Sequence, residues 1–156
     1  MTVTSSRPAL FVIGELTRGD GGAPVAALAR IPAALLEGVD VVRGAALDVE
    51  DLMGRGRVVI VDAVQGPEPG TILTLDLAAA PAMRAIPVGS THGLPLPAVI
   101  TLASALGGRP VSGRFIGIAG TRFGIGERLS TPVRAALPRA ARVIAAAVSE
   151  AVTACA

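Results

Sequence analysis

A chain of 156 residues has room for one domain and hardly for two, so we expect a single domain over residues 1–156. Apolar residues make up 51% of the chain, but it has only three Phe and no Trp or Tyr, so Val, Ile, Leu and Ala must build the core. All 14 basic residues are Arg, they are scattered along the chain, and the net charge is only +2, which argues against a nucleic-acid partner. Because the chain has no Lys, a Walker A lysine and a lysine Schiff base are excluded.

The sequence also argues against a membrane segment. Every stretch of about 18 residues that is rich in apolar residues contains a charged residue or is broken by Pro or Gly, so we expect no membrane insertion. Residues 1–8 are polar, and the apolar run of about six residues that follows is too short for the core of a signal peptide, which predicts a cytoplasmic protein. The sole cysteine, Cys155, has no partner for an internal disulfide.

The first half of the chain alternates strands and helices. The apolar run 9–13 predicts a buried strand that ends at Gly14. Pro24 suits the first turn of a helix, predicted over residues 24–36 with Pro32 weakening its centre. A short strand and a short helix are predicted next, over residues 39–42 and 47–53.

The second half continues this alternation. Arg57 to Asp62 is the clearest strand in the chain, and after a Pro/Gly turn the next strand, over residues 71–75, would pair with it as a hairpin if the two were adjacent. The remaining predictions are a linker over 78–87, a helix over 94–106, a strand over 114–118 and a last helix that begins at an N-cap, Ser130.

Strands that alternate with helices indicate an α/β fold. We therefore predict a three-layer sandwich, in which a mostly parallel, twisted sheet of about five strands carries helices on both faces. Ligands of such sheets collect outside the carboxyl ends of the strands.

Three polar residues fall at these strand ends. Asp20 lies in the loop after the first strand, Asp62 ends the apolar run of the third, and His92, the only histidine, precedes a helix. Two carboxylates and an imidazole are suited to a divalent transition metal, and equally to general acid/base chemistry. A structural role as turn or cap residues is the alternative for each of them.

Several segments, in order along the chain, resemble the hydrogenase maturation proteases. V-I-G-E-L-T-R-G-D-G-G (residues 12–22) is similar to the first strand and loop of that family, and V-I-V-D-A-V (59–64) is similar to its I-I-V-D-A strand. The other matching segments are P-G-T (69–71), S-T-H-G-L-P-L (90–96), F-I-G-I (115–118) and L-S-T-P-V (129–133).

The resemblance implies an endopeptidase that removes the C-terminal extension of the nickel-loaded [NiFe]-hydrogenase large-subunit precursor. It further implies that an acidic residue of the first loop, Asp62 and His92 recognise nickel, and that this nickel belongs to the substrate. The family's first acidic ligand falls on Gly21, so Asp20, or else Glu15, is the candidate to replace it.

Gly21 also supports an alternative function of another class, a degenerate family member that binds the precursor or another partner without cleaving it. A small nucleotide- or phosphate-binding protein is a third hypothesis, and only the Gly-rich loops support it.

Overall fold

The computed structural model describes residues 7–66, 68–79 and 94–155. Its centre is one sheet of five strands in the order β2-β1-β3-β5-β4. The strands are β1 (Ala9–Ile13), β2 (Asp40–Gly44), β3 (Arg57–Gln65), β4 (Ile72–Asp76) and β5 (Ser112–Gly120). All neighbouring pairs are parallel except β4 with β5, which is antiparallel.

Helices cover both faces of the sheet. They are α1 (Ala23–Leu28), α2 (Val49–Leu52), α3 (Leu96–Gly107) and α4 (Thr131–Cys155), and short 3-10 turns lie at Gly19–Gly22, Ala33–Leu36 and Leu77–Ala79. The helices α1 and α4 enclose one apolar core and α2 and α3 the other. The predicted three-layer α/β fold with a mostly parallel sheet is therefore confirmed.

Strand β3 is central because its side chains are apolar on both faces. Val59 and Val61 belong to the core under α1 and α4, whereas Val58 and Ile60 belong to the core under α2 and α3. Successive side chains of a strand point to opposite faces, so such a continuous apolar run can be buried only between two layers of helices.

One sequence prediction was wrong, and the condition for a second was not met. The helix predicted over residues 24–36 is only α1 and a separate 3-10 turn at Ala33–Leu36, because Pro32 disfavours helical geometry at the residue before it. The third and fourth strands do not form a hairpin, since β5 lies between them and pairs with both. Residue spacing along the chain gave no sign of this insertion.

The other elements occur where the sequence predicts them, with shifted ends. β3 continues to Gln65, three residues beyond Asp62, so Asp62 lies inside the strand rather than at its end. The predicted helix over 94–106 is α3, and the strand over 114–118 is the longer β5. His92, with its neighbours 90–93, and most of the predicted linker lie outside the described residues.

None of the helices in the described part of the chain is both long enough and apolar enough to cross a bilayer.

Candidate active site at the switch point of the sheet

The strand order reverses between β1 and β3. From β1 the chain crosses to β2 on one side and then returns to β3 on the other. Helices that follow such a reversal lie on opposite faces and leave a crevice at the carboxyl ends of the two strands, where ligands of open α/β sheets bind. The described topology therefore places the candidate site at the ends of β1 and β3.

Asp62 lies at this crevice. Val12 of β1 is level with Val61, so β1 ends beside Asp62, and the last three residues of β3 pair only with β5. Alternation along β3 turns the Asp62 side chain to the same face as Val58 and Ile60, the face covered by α2 and α3. On β5 its register partner is Gly117, which has no side chain.

The Asp62 carboxyl is buried with little compensation. The residue is 4% exposed. Among the described residues its only hydrogen-bond donor is the backbone amide of Ala63, 2.8 Å from Oδ1. Burial raises the pKa of Asp62 to about 8, and the Ala63 amide offsets only part of that rise. A buried carboxyl with open acceptor positions and a raised pKa is a candidate for chemistry or for ligand binding.

The chain enters α3 at the same edge of the sheet as Asp62. The C-terminal end of α3 lies at the opposite edge, because Gly107 packs against Met53 and Gly54 just before β3 begins. A helix of 12 residues spans about 18 Å, and the five steps from Arg57 to Asp62 span about 17 Å. The start of α3 is therefore level with Asp62, and His92 precedes that start by four positions in the sequence.

Asp20 occupies a different environment from Asp62. It is fully buried in the Gly19–Gly22 turn, and both of its carboxylate oxygens accept hydrogen bonds. Oδ1 accepts from the Ser130 amide at 2.7 Å, and Oδ2 accepts from the Ser130 hydroxyl at 3.0 Å and from the amides of Thr121 and Arg122 at 2.9 and 3.1 Å. A carboxylate has about two acceptor positions on each oxygen, so Oδ2 is fully occupied by protein donors, whereas Oδ1 accepts one hydrogen bond.

These hydrogen bonds join the loop after β1 to the loop after β5. Backbone bonds reinforce the junction, from the Asp20 amide to the Arg122 carbonyl at 2.6 Å and from the Gly126 amide to the Thr17 carbonyl at 2.7 Å. We call the joined loops, residues 14–22 and 121–130, the double loop. Since β1 and β5 flank β3, the double loop spans the end of the strand that carries Asp62.

The structure does not bring Asp20 and Asp62 together through any described contact. In the described parts of the chain, no three acidic, histidine or cysteine side chains lie close enough to hold a metal ion. Sequence reasoning missed the partners of Asp20, because Thr121, Arg122 and Ser130 follow it by 101 to 110 positions and no local pattern links them. For Ser130 the sequence indicates only a role as a helix cap.

The other positions considered in the first loop are Glu15 and Gly21. Glu15 is exposed and forms an ion pair with Arg18 at 3.3 Å. Gly21 contributes no side chain, but its position tolerates one, since an added Cβ would meet only the Arg18 Cβ at 3.4 Å and the Phe123 ring at 3.8 Å. Nothing in the backbone therefore demands glycine where the family resemblance places an acidic residue.

A cavity of about 210 Å³ opens one strand away from Asp62. It lies at the carboxyl ends of β1 and β2, and Ile13, which ends β1 beside Asp62, forms part of its wall. The other lining residues are Phe11, Val12, Val42, Arg43, Gly44, Ala46, Leu47 and Asp51. The cavity thus adds a recess of mixed polar and apolar lining one strand away from the buried carboxyl.

Comparison with known proteins decides the family. The sequence profile of the family described as hydrogenase maturation protease matches residues 38–147, which is more than two thirds of the chain. The chain belongs to this family. The matched segment contains Asp62 and His92 and begins after the first loop, in which Gly21 departs from the family pattern. Comparison with the curated proteins gives no match.

Solved structures of hydrogenase maturation proteases have the same fold. The HybD endopeptidase from E. coli is 21% identical, with a TM-score of 0.70 over 92% of this chain and 93% of that one. The HycI protease from Thermococcus kodakarensis is 26% identical, with a TM-score of 0.66 over 92% and 93%. The HybD protease from the same organism is 24% identical, with a TM-score of 0.64 over 88% and 95%.

The raised pKa of Asp62 predicts how stability changes with pH. Between the ordinary value of 3.8 and about 8, the folded protein keeps a proton that the unfolded chain has released. The free energy of unfolding therefore falls as pH rises through this window, by at most about 1.4 kcal/mol per pH unit. Asp62→Asn removes this slope, and the variant should gain stability relative to wild type from pH 5 to pH 7. The free energies of unfolding of both proteins in urea, measured at each pH, test this prediction.

Glu37→Gln is the control for this measurement, because Glu37 is an exposed carboxylate. This variant should keep the wild-type slope. Parallel stability curves for Asp62→Asn and wild type would contradict the prediction, since they would mean that Asp62 titrates alike in the folded and unfolded chains.

The network around Asp20 predicts a loss of stability in Asp20→Asn. In Asn an NH₂ group replaces one carboxylate oxygen, so its hydrogens would face backbone N–H groups whose positions are fixed, such as those of Thr121 and Arg122. The negative charge of the carboxylate is also lost. We expect a loss of roughly 2–4 kcal/mol in urea unfolding, together with faster hydrogen exchange of the Thr121, Arg122 and Ser130 amides. Asp76→Asn is the control, because Asp76 is exposed, Asn can keep the hydrogen bond that Asp76 accepts from the Ala78 amide, and the ion pair with Arg114 that it loses is an exposed one. Equal stability of the two variants would contradict the structural role of Asp20.

Proposed function

We propose that this protein is an endopeptidase that removes the C-terminal extension of the nickel-loaded large-subunit precursor of a [NiFe]-hydrogenase. Membership of the hydrogenase maturation protease family supports the reaction class and the type of substrate. The observation that carries the assignment of the site is the buried Asp62 carboxyl at the switch point, with a single described donor. Asp62 and His92 are the residues that we assign to recognition of the nickel that the substrate brings.

The environment of Asp62 suggests how the enzyme senses nickel. With a pKa of about 8, the carboxyl is mostly protonated at neutral pH in the free protein. A cation close to the carboxyl favours its charged form, so arrival of the metal-loaded substrate would release the proton and create a carboxylate. A precursor without metal leaves the carboxyl neutral. The charge of the site thus depends on whether the substrate is ready for cleavage.

The hydrolytic step requires a water molecule that attacks the scissile carbonyl. Asp62 as a carboxylate and His92 as a neutral imidazole are general bases of the required kind, and the nickel of the substrate is the alternative means of activating the water. The recess lined by Ile13 lies one strand away from Asp62 and offers space for a substrate side chain near the cut. Asp20 holds the double loop in this assignment, because its carboxylate accepts four hydrogen bonds from Thr121, Arg122 and Ser130.

A non-catalytic function is the second candidate, and one observation favours it. The first loop supplies no available carboxylate, because Asp20 is committed to the double loop, Glu15 pairs with Arg18 and position 21 is glycine. A family member with only Asp62 and His92 would bind the precursor without completing the cut. The two candidates differ in whether the precursor becomes shorter.

A processing assay tests the proposed reaction. Nickel-loaded large-subunit precursor is incubated with the protein, and the product is measured by intact-mass spectrometry. We expect wild type to shorten the precursor, and Asp62→Asn and His92→Ala to lower the rate at least about 100-fold while remaining folded. Asp76→Asn, on the exposed end of β4, should retain the wild-type rate. Binding of the precursor without any shortening by wild type would favour the non-catalytic candidate.

A gain-of-function variant tests the missing acidic ligand. Gly21→Glu places a carboxylate at the first position of the family motif, and the contacts of Gly21 leave space for it. We expect it to bind Ni²⁺ about tenfold more tightly than Gly21→Gln in calorimetric titrations, because the two variants differ only in the charge of the added group. Equal affinities of the Glu and Gln variants would contradict the assignment of position 21 to the site.

A further inference from the structure

The double loop exposes two large apolar side chains. Leu16 is 64% exposed and Ile125 is 78% exposed, the highest value among the large apolar residues in the described ranges. They project from neighbouring positions, because Thr17 and Gly126, the residues that follow them, are joined by a backbone hydrogen bond of 2.7 Å. Single exposed apolar residues are common on protein surfaces. Two of them side by side, where two loops are joined by a hydrogen bond, form a candidate contact surface.

The backbone beneath these side chains is fixed. The four hydrogen bonds to the Asp20 carboxylate hold the loop after β1 to Thr121, Arg122 and Ser130. Gly120 packs directly against Asp20, where any larger residue would collide with the carboxylate side chain. A surface that is already ordered loses little conformational entropy on binding, so this arrangement favours association with a partner.

The exposed charged residues around the apolar pair are three arginines and two glutamates, and two of the arginines lack an acidic partner among the described residues. Glu15 pairs with Arg18, and the Glu127 carboxylate accepts the Gly124 amide at 2.9 Å. Arg122 and Arg128 are exposed and form no ion pair with any other described residue. A complementary partner therefore has an apolar patch with acidic residues at its edge.

We propose that the double loop is the docking surface for the folded protein substrate. Leu16 and Ile125 pack against an apolar patch of the substrate, and Arg122 and Arg128 pair with acidic residues beside that patch. The proposal rests on the proposed function, since the substrate is the occupant. Its location supports it, because the two loops follow β1 and β5, the strands that flank β3, and so lie at the same edge of the sheet as Asp62.

Two sets of variants test the docking surface. The apolar set is Leu16→Ser with Ile125→Ser, and its control is Leu106→Ser, since Leu106 is also 64% exposed but lies at the far end of α3. The charge set is Arg122→Glu with Arg128→Glu, and its control is Arg57→Glu at the opposite edge of the sheet. Arg122 takes part in the hydrogen bonds between the two loops only through its backbone amide and carbonyl. The side-chain substitutions therefore leave these hydrogen bonds intact.

Affinity for the nickel-loaded precursor is measured by biolayer interferometry at low and high salt, and kcat and KM by the processing assay. We expect each loop set to raise Kd and KM about tenfold or more, with kcat at saturation unchanged, and both controls to behave as wild type. The charge set should also reduce the salt dependence of Kd. Thermal melting of each variant checks that it is folded.

The outcomes separate the docking surface from the proposed function. Loop variants that bind the precursor within about twofold of wild type would overturn the docking surface alone. Wild-type protein that neither binds nor cleaves the precursor would overturn the proposed function, and with it the occupant assigned here. Loss of a wild-type dimer in the loop variants, with precursor affinity retained, would assign the surface to a second copy of the chain and overturn the proposal.

Discussion

Burial of β3 on both faces is the constraint on which the rest of this structure depends. The strand is apolar from Val58 to Val61, so it needs neighbouring strands on both edges and helices above and below. With β1 on one side and β5 on the other, the switch point of the sheet falls beside β3. The same burial that stabilises the strand surrounds Asp62, its one acidic residue, with an apolar environment.

Two buried aspartates differ in how the protein satisfies their carboxyl groups. Asp20 and Asp62 are 0% and 4% exposed, so burial alone does not distinguish them. Asp20 accepts four hydrogen bonds and holds two loops together, whereas Asp62 has one described donor and a raised pKa. Leaving a carboxyl under-compensated is unfavourable for folding, and such groups are found where a ligand or a reaction requires them.

The first loop has a mechanical role that its sequence resemblance to a ligand loop does not reveal. The Gly-rich segments around residues 14–22 and 117–126 contact each other, and their glycines allow the close approach. Gly19, for example, lies against the carbonyl oxygen of Arg122 with a φ of +55°, where a side chain would collide. The departure at Gly21 therefore alters the chemistry of the loop without altering the conditions for its packing.

The sequence by itself determined the alternation of strands and helices, the three-layer fold, the buried strand that carries Asp62 and the family. These properties depend on local apolar patterning and on motifs of a few residues each, which are visible without knowledge of the fold. Apolar periodicity alone did not predict where the first helix ends. The helical pattern of apolar residues continues past Pro32, whereas the helix itself does not.

Only the tertiary structure decided that β5 separates β3 from β4, that Asp62 lies within its strand beside the end of β1, and that Asp20 is bound by residues more than 100 positions away. The physical reason is that sheet order and hydrogen-bond partners are set by packing between distant segments, where many pairings satisfy the same local pattern. The carboxylates of Asp20 and Asp62 look alike in the sequence, and only the donors that surround them in space make one an anchor and the other a candidate for catalysis.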